Sequence, residues 1–458
     1  MRALPLIFLS ICALISFLGM HFYWDVSFIQ PDSPSYFAWS PIRTVGYPLF
    51  LEGVQALPLP FEVTLQAVQF SLMLGMVIWT VFVTEKVFYH KILSLFMVAA
   101  IGLNPFYWQF GLKVLSEAPF FAFIMMMAAC LFLAIAEKED PKKLYTQKRL
   151  FWISLAAVAI GAATLIRPVG IAFAPVLLIP VLLEKKKIQT LLYAMIPILL
   201  ILGASKILDP RQGEGSISKH GINSVFGQLI FHLPETLPGI NAEQLAPLSK
   251  EVARYRQWVN HAPGYQGRAV ARLMVWNSLN NKTTQILPET GLSKNDIVLA
   301  LLEDRPEIWL YEIVQNFYTL CFVPVVETQS KIDHWVASRE DVAAPISKED
   351  IDLATIAIPG FLVFLKDIAF GVIMLVTLIL PFIWVTQFLR GQRLSPLWSY
   401  LTALSLGIIG YYVTIAAFNG PLFRYQVAVY PLQVMIGTGF LLAIVTAVEK
   451  HLRRKNKE

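Results

Sequence analysis

The chain has 458 residues, 56% hydrophobic and 15% charged, with mean hydropathy +0.59 and a formal net charge of +6. Soluble domains carry about 25% charge, so this composition excludes one and points to an integral membrane protein whose helices satisfy their own backbone groups. The long apolar runs exclude a β-barrel, and the basic excess crowds one set of short loops, which makes it a topology signal rather than a nucleic-acid footprint.

A spanning helix needs about 20 apolar residues. The candidates in chain order are 4–20, 63–84, 92–107, 118–136, 150–166, 170–183, 190–208, 359–388, 397–418 and 427–448. The expected fold class is therefore an all-α polytopic membrane protein of about ten helices. The first run ends in His21-Phe22-Tyr23-Trp24, an interfacial aromatic belt with no small-x-small cleavage pattern, and reads as an uncleaved span. The two runs flanking Arg167-Pro168 also read as one kinked, re-entrant unit.

Orientation follows from Lys and Arg. Arg2, Lys86, Lys91, Lys138, Lys142, Lys143, Lys148, Arg149, Lys185, Lys186, Lys187, Arg390, Arg393 and the tail Lys450–Lys457 fall on one side. That side is expected to be cytoplasmic, with both termini inside. The opposite short loops hold Arg43, Lys113, Arg167 and Arg424, where topology disfavours cations.

Two external segments are long. The first, 21–62, carries an amphipathic stretch at 48–57, expected to lie in the interface. The second, 209–358, has helical patterns at 242–261, 266–279 and 294–322, the last interrupted by Pro306. The expected organisation is an N-terminal membrane module (1–208) that includes the first external loop (21–62), a mainly helical external segment (209–358), and a C-terminal membrane module (359–458). Cys12 and Cys130 lie in apolar spans and Cys321 stands alone in a polar segment. No pair is placed for a disulfide, and no CxxC exists.

An ionisable residue at a span end is expensive and is a functional candidate by default. Asp32-Ser33-Pro34-Ser35-Tyr36 offers a carboxylate suited to general-base work, or an Asp capping a turn. Asp25 is a second acid without a flanking pattern. Arg43, followed by Gly46-Tyr47-Pro48, suits bidentate phosphate binding, or snorkelling to headgroups. Tyr36 and Tyr47 read as sugar-stacking rings or as interfacial aromatics. Lys113 and Glu117 are four apart and would simply pair if helical; otherwise Lys113 meets a phosphate and Glu117 a sugar hydroxyl or acceptor. Arg167 has no acid nearby in sequence, so its partner is distant or a ligand. Arg424-Tyr425, after Asn419-Gly420-Pro421, is similar.

No HExxH, GxGxxG, Walker loop or Gly-x-Ser-x-Gly elbow is present, and His220, His232, His261 and His334 lack ligand spacing. The first loop has no Asp-x-Asp pair, which argues against a required metal, so no cofactor is expected.

Taken in order, a first span, a loop with Asp32-Ser33-x-x-Tyr36 and Gly46-Tyr47-Pro48, Leu115-Ser116-Glu117, Arg167-Pro168, Arg305-Pro306-x-x-Trp309-Leu310 and Arg424-Tyr425 with Pro431 resemble the GT-C membrane glycosyltransferases. The protein O-mannosyltransferase and lipid A aminoarabinose transferase group is the most similar branch. The resemblance implies a GT-C-like bundle, a polyprenyl-monophosphate-linked sugar donor, an external (periplasmic) active site on the plasma membrane, and an inverting transfer. It implies Asp32 as catalytic carboxylate, Arg43, Lys113, Arg167 and Arg424 at the lipid phosphate, and Glu117 at sugar or acceptor; Tyr36, Tyr47 and Tyr425 are the further candidates for sugar or acceptor from the residues themselves. This chain has Asp32-Ser33 where some members have Asp-Glu. No β-rich external domain is visible, so the implied acceptor is an envelope lipid or glycan before a protein. The competing readings are a flippase of lipid-linked saccharide, a surface-polysaccharide polymerase or ligase, and a non-catalytic assembly subunit.

Overall fold

In the computed structural model the described residues are 3–23, 27–30, 32–40, 43–84, 91–136, 145–209, 225–262, 264–322, 360–392, 395–418 and 423–455. Among them the chain is helical, with no strand beyond an isolated bridge between Leu237 and Ile240. Eight helices among the described residues are long and apolar enough to cross a membrane: Leu4–Phe22, Phe61–Thr84, Glu117–Ala136, Gln147–Ile166, Lys187–Ile207, Ile368–Leu389, Pro396–Phe418 and Tyr430–Glu449. This is a multi-pass helical membrane protein.

Two of the ten expected spans differ. The run 92–107 is not one helix: α5 (Lys91–Gly102) and α6 (Pro105–Trp108), with a 3-10 turn Gln109–Leu112, form a pair bent by 50°. The cause is Asn104-Pro105. Asn104 turns extended and its side chain accepts from Tyr107 N at 3.2 Å, while Pro105 takes the first helical turn, where its missing N–H costs nothing.

The run 170–183 is also no regular span. Helix α8 (Tyr145–Ile166) stops because Pro168 bars Arg167 from the helical region, and Arg167 is extended at φ −144°, ψ 130°. Pro168–Leu177 then continues as 3-10 helix and α9 (Leu178–Leu183) as a short α-helix. A 3-10 rise of about 2.0 Å over ten residues plus about 1.5 Å over six spans roughly 29 Å, nearly the length of α8. The Arg149–Glu184 ion pair, 2.6 Å and largely buried, shows that the segment returns from the Arg167 end of α8 to its Arg149 end.

The chain forms two compact units. The first comprises Met1–Gly215, Val372–Tyr411 and Val427–Glu458. Its centre is α7 (Glu117–Ala136), buried on nearly every side through Phe120, Phe121, Met125, Leu131 and Phe132. Apolar helices gain little from leaving lipid for each other, so their association rests on close packing. Gly410 supplies it in α16 (Pro396–Phe418): a Cβ there would lie 2.4 Å from Ala172 O of the 3-10 segment. Ser16 Oγ of α1 (Ala3–Tyr23) donates to Gly102 O at 2.8 Å, and Tyr430 OH donates to Ala100 O at 3.0 Å.

The second unit comprises Ser216–Gly371 and Tyr412–Gln426. Its described core packs Phe226, Leu229 and Ile230 against helices α11 (Ala242–Asn260), α12 (Gly264–Thr290) and α13 (Lys294–Asp304). The expected break at Pro306 is present: α13 ends at Asp304 and α14 runs Pro306–Phe322. Cys321, expected in a polar setting, is buried on α14. Within this unit the buried Glu312 receives Arg272 Nη1 at 2.7 Å, lies 2.6 Å from Arg272 Nη2, and meets His232 Nε2 at 2.5 Å.

Candidate functional site at one end of the first unit

The first loop folds down onto the turn before α7. Ser33 Oγ donates to Val114 O at 2.8 Å, and Val114 N donates to Phe28 O at 2.9 Å. Asp32 begins the one-turn helix α2 (Ser33–Phe37), yet its side chain makes no capping bond, so the turn-capping reading does not describe it. Its carboxylate instead meets Arg43 Nη2 at 2.7 Å, with Asp32 30% and Arg43 20% exposed.

Arg43 is also held by Ser35 and Tyr36. Nε donates to Ser35 Oγ at 2.8 Å, Nη1 to Tyr36 OH at 3.4 Å, and the guanidinium lies 4.6 Å from the Tyr36 ring centroid. The turn that presents it contains Trp39 at φ +48°, a strained conformation for a bulky side chain, with its indole N–H donating to Glu52 Oε1 at 2.9 Å. One residue beyond Arg43, Thr44 Oγ1 donates to Ile166 O at 2.8 Å. Gly46 lies so near α8 that a Cβ there would come 2.6 Å from Leu165 O.

Helix α3 (Gly46–Gln55) is amphipathic, as expected, but its apolar face is covered by protein: Tyr47, Pro48, Leu51 and Val54 are buried. Tyr36 and Tyr47 form an edge-to-face pair at 4.8 Å, and both rings are buried. In this conformation neither offers a face to a sugar. Tyr47 OH donates to Gln69 Oε1 at 3.1 Å, and Gln69 Nε2 donates to Gly111 O and Lys113 O. Burial raises the Tyr36 phenol above its ordinary value and raises Tyr47 well above it, so both stay protonated donors.

Lys113 and Glu117 are not on one helix. Lys113 is extended, after the 3-10 turn, with its ammonium donating to Gln109 Oε1 at 2.9 Å. Glu117 opens α7, almost wholly buried, and its ion-pair partner is Arg167 Nη1. Arg167 thus finds the distant acid its sequence neighbourhood lacks. Its Nη1 also reaches Ser116 Oγ at 3.5 Å, and Ser116 Oγ lies 2.9 Å from Tyr36 OH.

The result is one polar chain: Asp32, Arg43, Tyr36, Ser116, Arg167, Glu117. Its outer ion pair is partly open and its inner pair closed. Sequence reasoning found the charged residues but missed Ser35, Ser116 and Gln69, which connect and brace them. Arg424 lies on α17 (Phe423–Ala428) and its side chain is outside the described residues, as is Asp25; Tyr425 is buried within the second unit. Among the described residues no three His, Cys, Asp or Glu side chains gather at a point.

Fold and site define a polytopic helical membrane protein with a linked acid–arginine network at one end of its helices. Comparison with protein-family models, curated proteins and solved structures finds no match. The glycosyltransferase resemblance therefore stands on the residues alone.

Proposed function

We propose that this protein is a GT-C-type membrane glycosyltransferase that moves a sugar from a polyprenyl-monophosphate donor to an envelope lipid or glycan. The observation that carries the reading is the joining of a partly exposed carboxylate, Asp32, to two arginines through Tyr36 and Ser116 at one end of a helical bundle. Guanidinium groups fixed at a membrane boundary suit a lipid phosphate, whose leaving charge they stabilise in the transition state.

In this mechanism the acceptor hydroxyl oxygen attacks the anomeric carbon from the face opposite the phosphate. The new carbon–oxygen bond forms as the carbon–phosphate-oxygen bond breaks. The acceptor proton passes to Asp32, the bonding pair leaves with the polyprenyl monophosphate, and configuration inverts. Arg43 and Arg167 hold the phosphate, with Lys113 as a further cation, and Glu117 fixes Arg167. The bundle would cross the membrane about ten times, counting the bent pair and the returning 3-10 segment. Both termini would be cytoplasmic and the site on the external face of the plasma membrane. A flippase would place its charges near the midplane; this network lies at helix ends, which supports the enzyme.

The test is mass spectrometry of lipid-linked sugars and envelope glycans in cells lacking the protein, complemented with wild type or Asp32→Asn. The expected result is a polyprenyl-phosphate monosaccharide that builds up, one glycan short of a sugar, and no rescue by Asp32→Asn. Full rescue, or build-up of an oligosaccharide-diphosphate lipid, would overturn the reading.

A further inference from the structure

We propose that Asp32 and Arg43 form an exchangeable latch, in which a lipid phosphate takes the place of the Asp32 carboxylate on Arg43 and so frees the base. This rests on the transferase reading above and adds that donor binding and release of the base are one event.

The two ion pairs of the network differ in what it takes to open them. Glu117 is 2% exposed and Arg167 14%, so separating them would strand a charge in the interior. Asp32 and Arg43 are 30% and 20% exposed, and such a pair is held weakly. A ligand arriving from the open side therefore exchanges the outer pair and leaves the inner one closed. The guanidinium is kept in place during the exchange, because Nε stays on Ser35 Oγ and the Tyr36 ring stays beneath it. The Nη2 contact is the one that changes hands. A phosphate presents the same paired oxygens to that fork as a carboxylate does.

The turn that presents Asp32 is held without a cap from that residue. It is tied by its neighbours, with Gln30 N donating to Ser33 Oγ and Ser33 Oγ to Val114 O, both at 2.8 Å. Charge balances: the singly charged phosphodiester of the donor replaces one carboxylate on one guanidinium. Before binding, the base is neutralised by its own arginine, which guards against proton transfer with no donor present.

The experiment uses the full-length protein in nanodiscs, titrated with sugar-free polyprenyl monophosphate and, separately, with polyprenol of the same length, with binding read by native mass spectrometry. The expected result is that wild type prefers the monophosphate and Asp32→Asn binds it about two- to fivefold tighter, the equivalent of removing a weak competing pair. Arg43→Gln binds it about tenfold or more weakly, and Asp32→Asn brings no tightening on an Arg43→Gln background. Arg43→Lys repeats the cycle should Arg43→Gln fail to fold. Equal tightening with and without Arg43 would mean that Asp32 merely repels the ligand, and would overturn the latch while leaving the phosphate site. Unchanged or weaker binding by Asp32→Asn overturns it as well. Equal binding of phosphate and alcohol by wild type would remove the phosphate site itself, and the transferase reading with it.

Discussion

Tyr36 OH and Ser116 Oγ stand 2.9 Å apart, 80 residues from each other in sequence, and through them two ion pairs become one network. Arg43 donates to the tyrosine and Arg167 to the serine. Moving one arginine is therefore felt by the other.

Tyr36→Phe tests this linkage. The ring that Arg43 and Tyr47 pack against stays, and the bridging hydroxyl goes. The expected cost is about 0.5–1.5 kcal/mol of stability, read by denaturant unfolding in detergent. A change above about 3 kcal/mol would mean the ring, not the hydroxyl, had been disturbed.

Asp32→Asn is expected to lower sugar transfer by about 10²–10⁴-fold, the range for loss of a positioned general base. Stability should move by about 1 kcal/mol or less, since the pair it breaks is partly exposed. Turnover at the wild-type rate in a purified assay would remove Asp32 as the base.

Glu117→Gln should behave in the opposite way. It leaves Arg167 without its buried counter-charge, at an expected cost of about 3–5 kcal/mol, visible as a large fall in melting temperature. The double variant Glu117→Gln/Arg167→Gln should recover part of that loss. Strict additivity of the two single changes would show that the side chains are not coupled.

In the second unit, burial pushes the Glu312 carboxyl up, and Arg272 and His232 more than reverse this, so it lies below its ordinary 4.5. A carboxyl depressed on folding adds stability above the unfolded-state value and loses it as pH falls through the lower folded-state value. Acid titration of melting temperature should show that loss in wild type below about pH 4.5 and a flatter curve in Glu312→Gln. Parallel curves would remove Glu312 from the acid response.

Gly410→Val should cost about 1–3 kcal/mol, because even a Cβ meets the backbone oxygen of Ala172, which has no rotamer to escape into. Gly53→Val on α3, where nothing lies within 4 Å of an added Cβ, is the control and should unfold close to wild type.

Much of the membrane architecture was legible from apolar run length, since a helix in lipid must be long and self-satisfied. Hydropathy alone could not distinguish a span from a bent pair or a 3-10 return. The signals were present in Asn104-Pro105 and in the two prolines 168 and 175, which remove helical donors at known positions. Charge placement named Asp32, Arg43 and Arg167, but not their partners. Glu117 was matched to Lys113 by a helical spacing that the extended residues before α7 do not have. Its partner Arg167 comes only after the last residue of α8, and the packed fold brings the two together.

The bond from Thr44 to Ile166 ties the Arg43 turn to a carbonyl 122 residues further along the chain. At about 5–20 residues per second, a ribosome needs roughly 6–24 s to make that stretch. For that interval the first loop lacks this anchor, and the Asp32 site can be completed only when the end of α8 has been made.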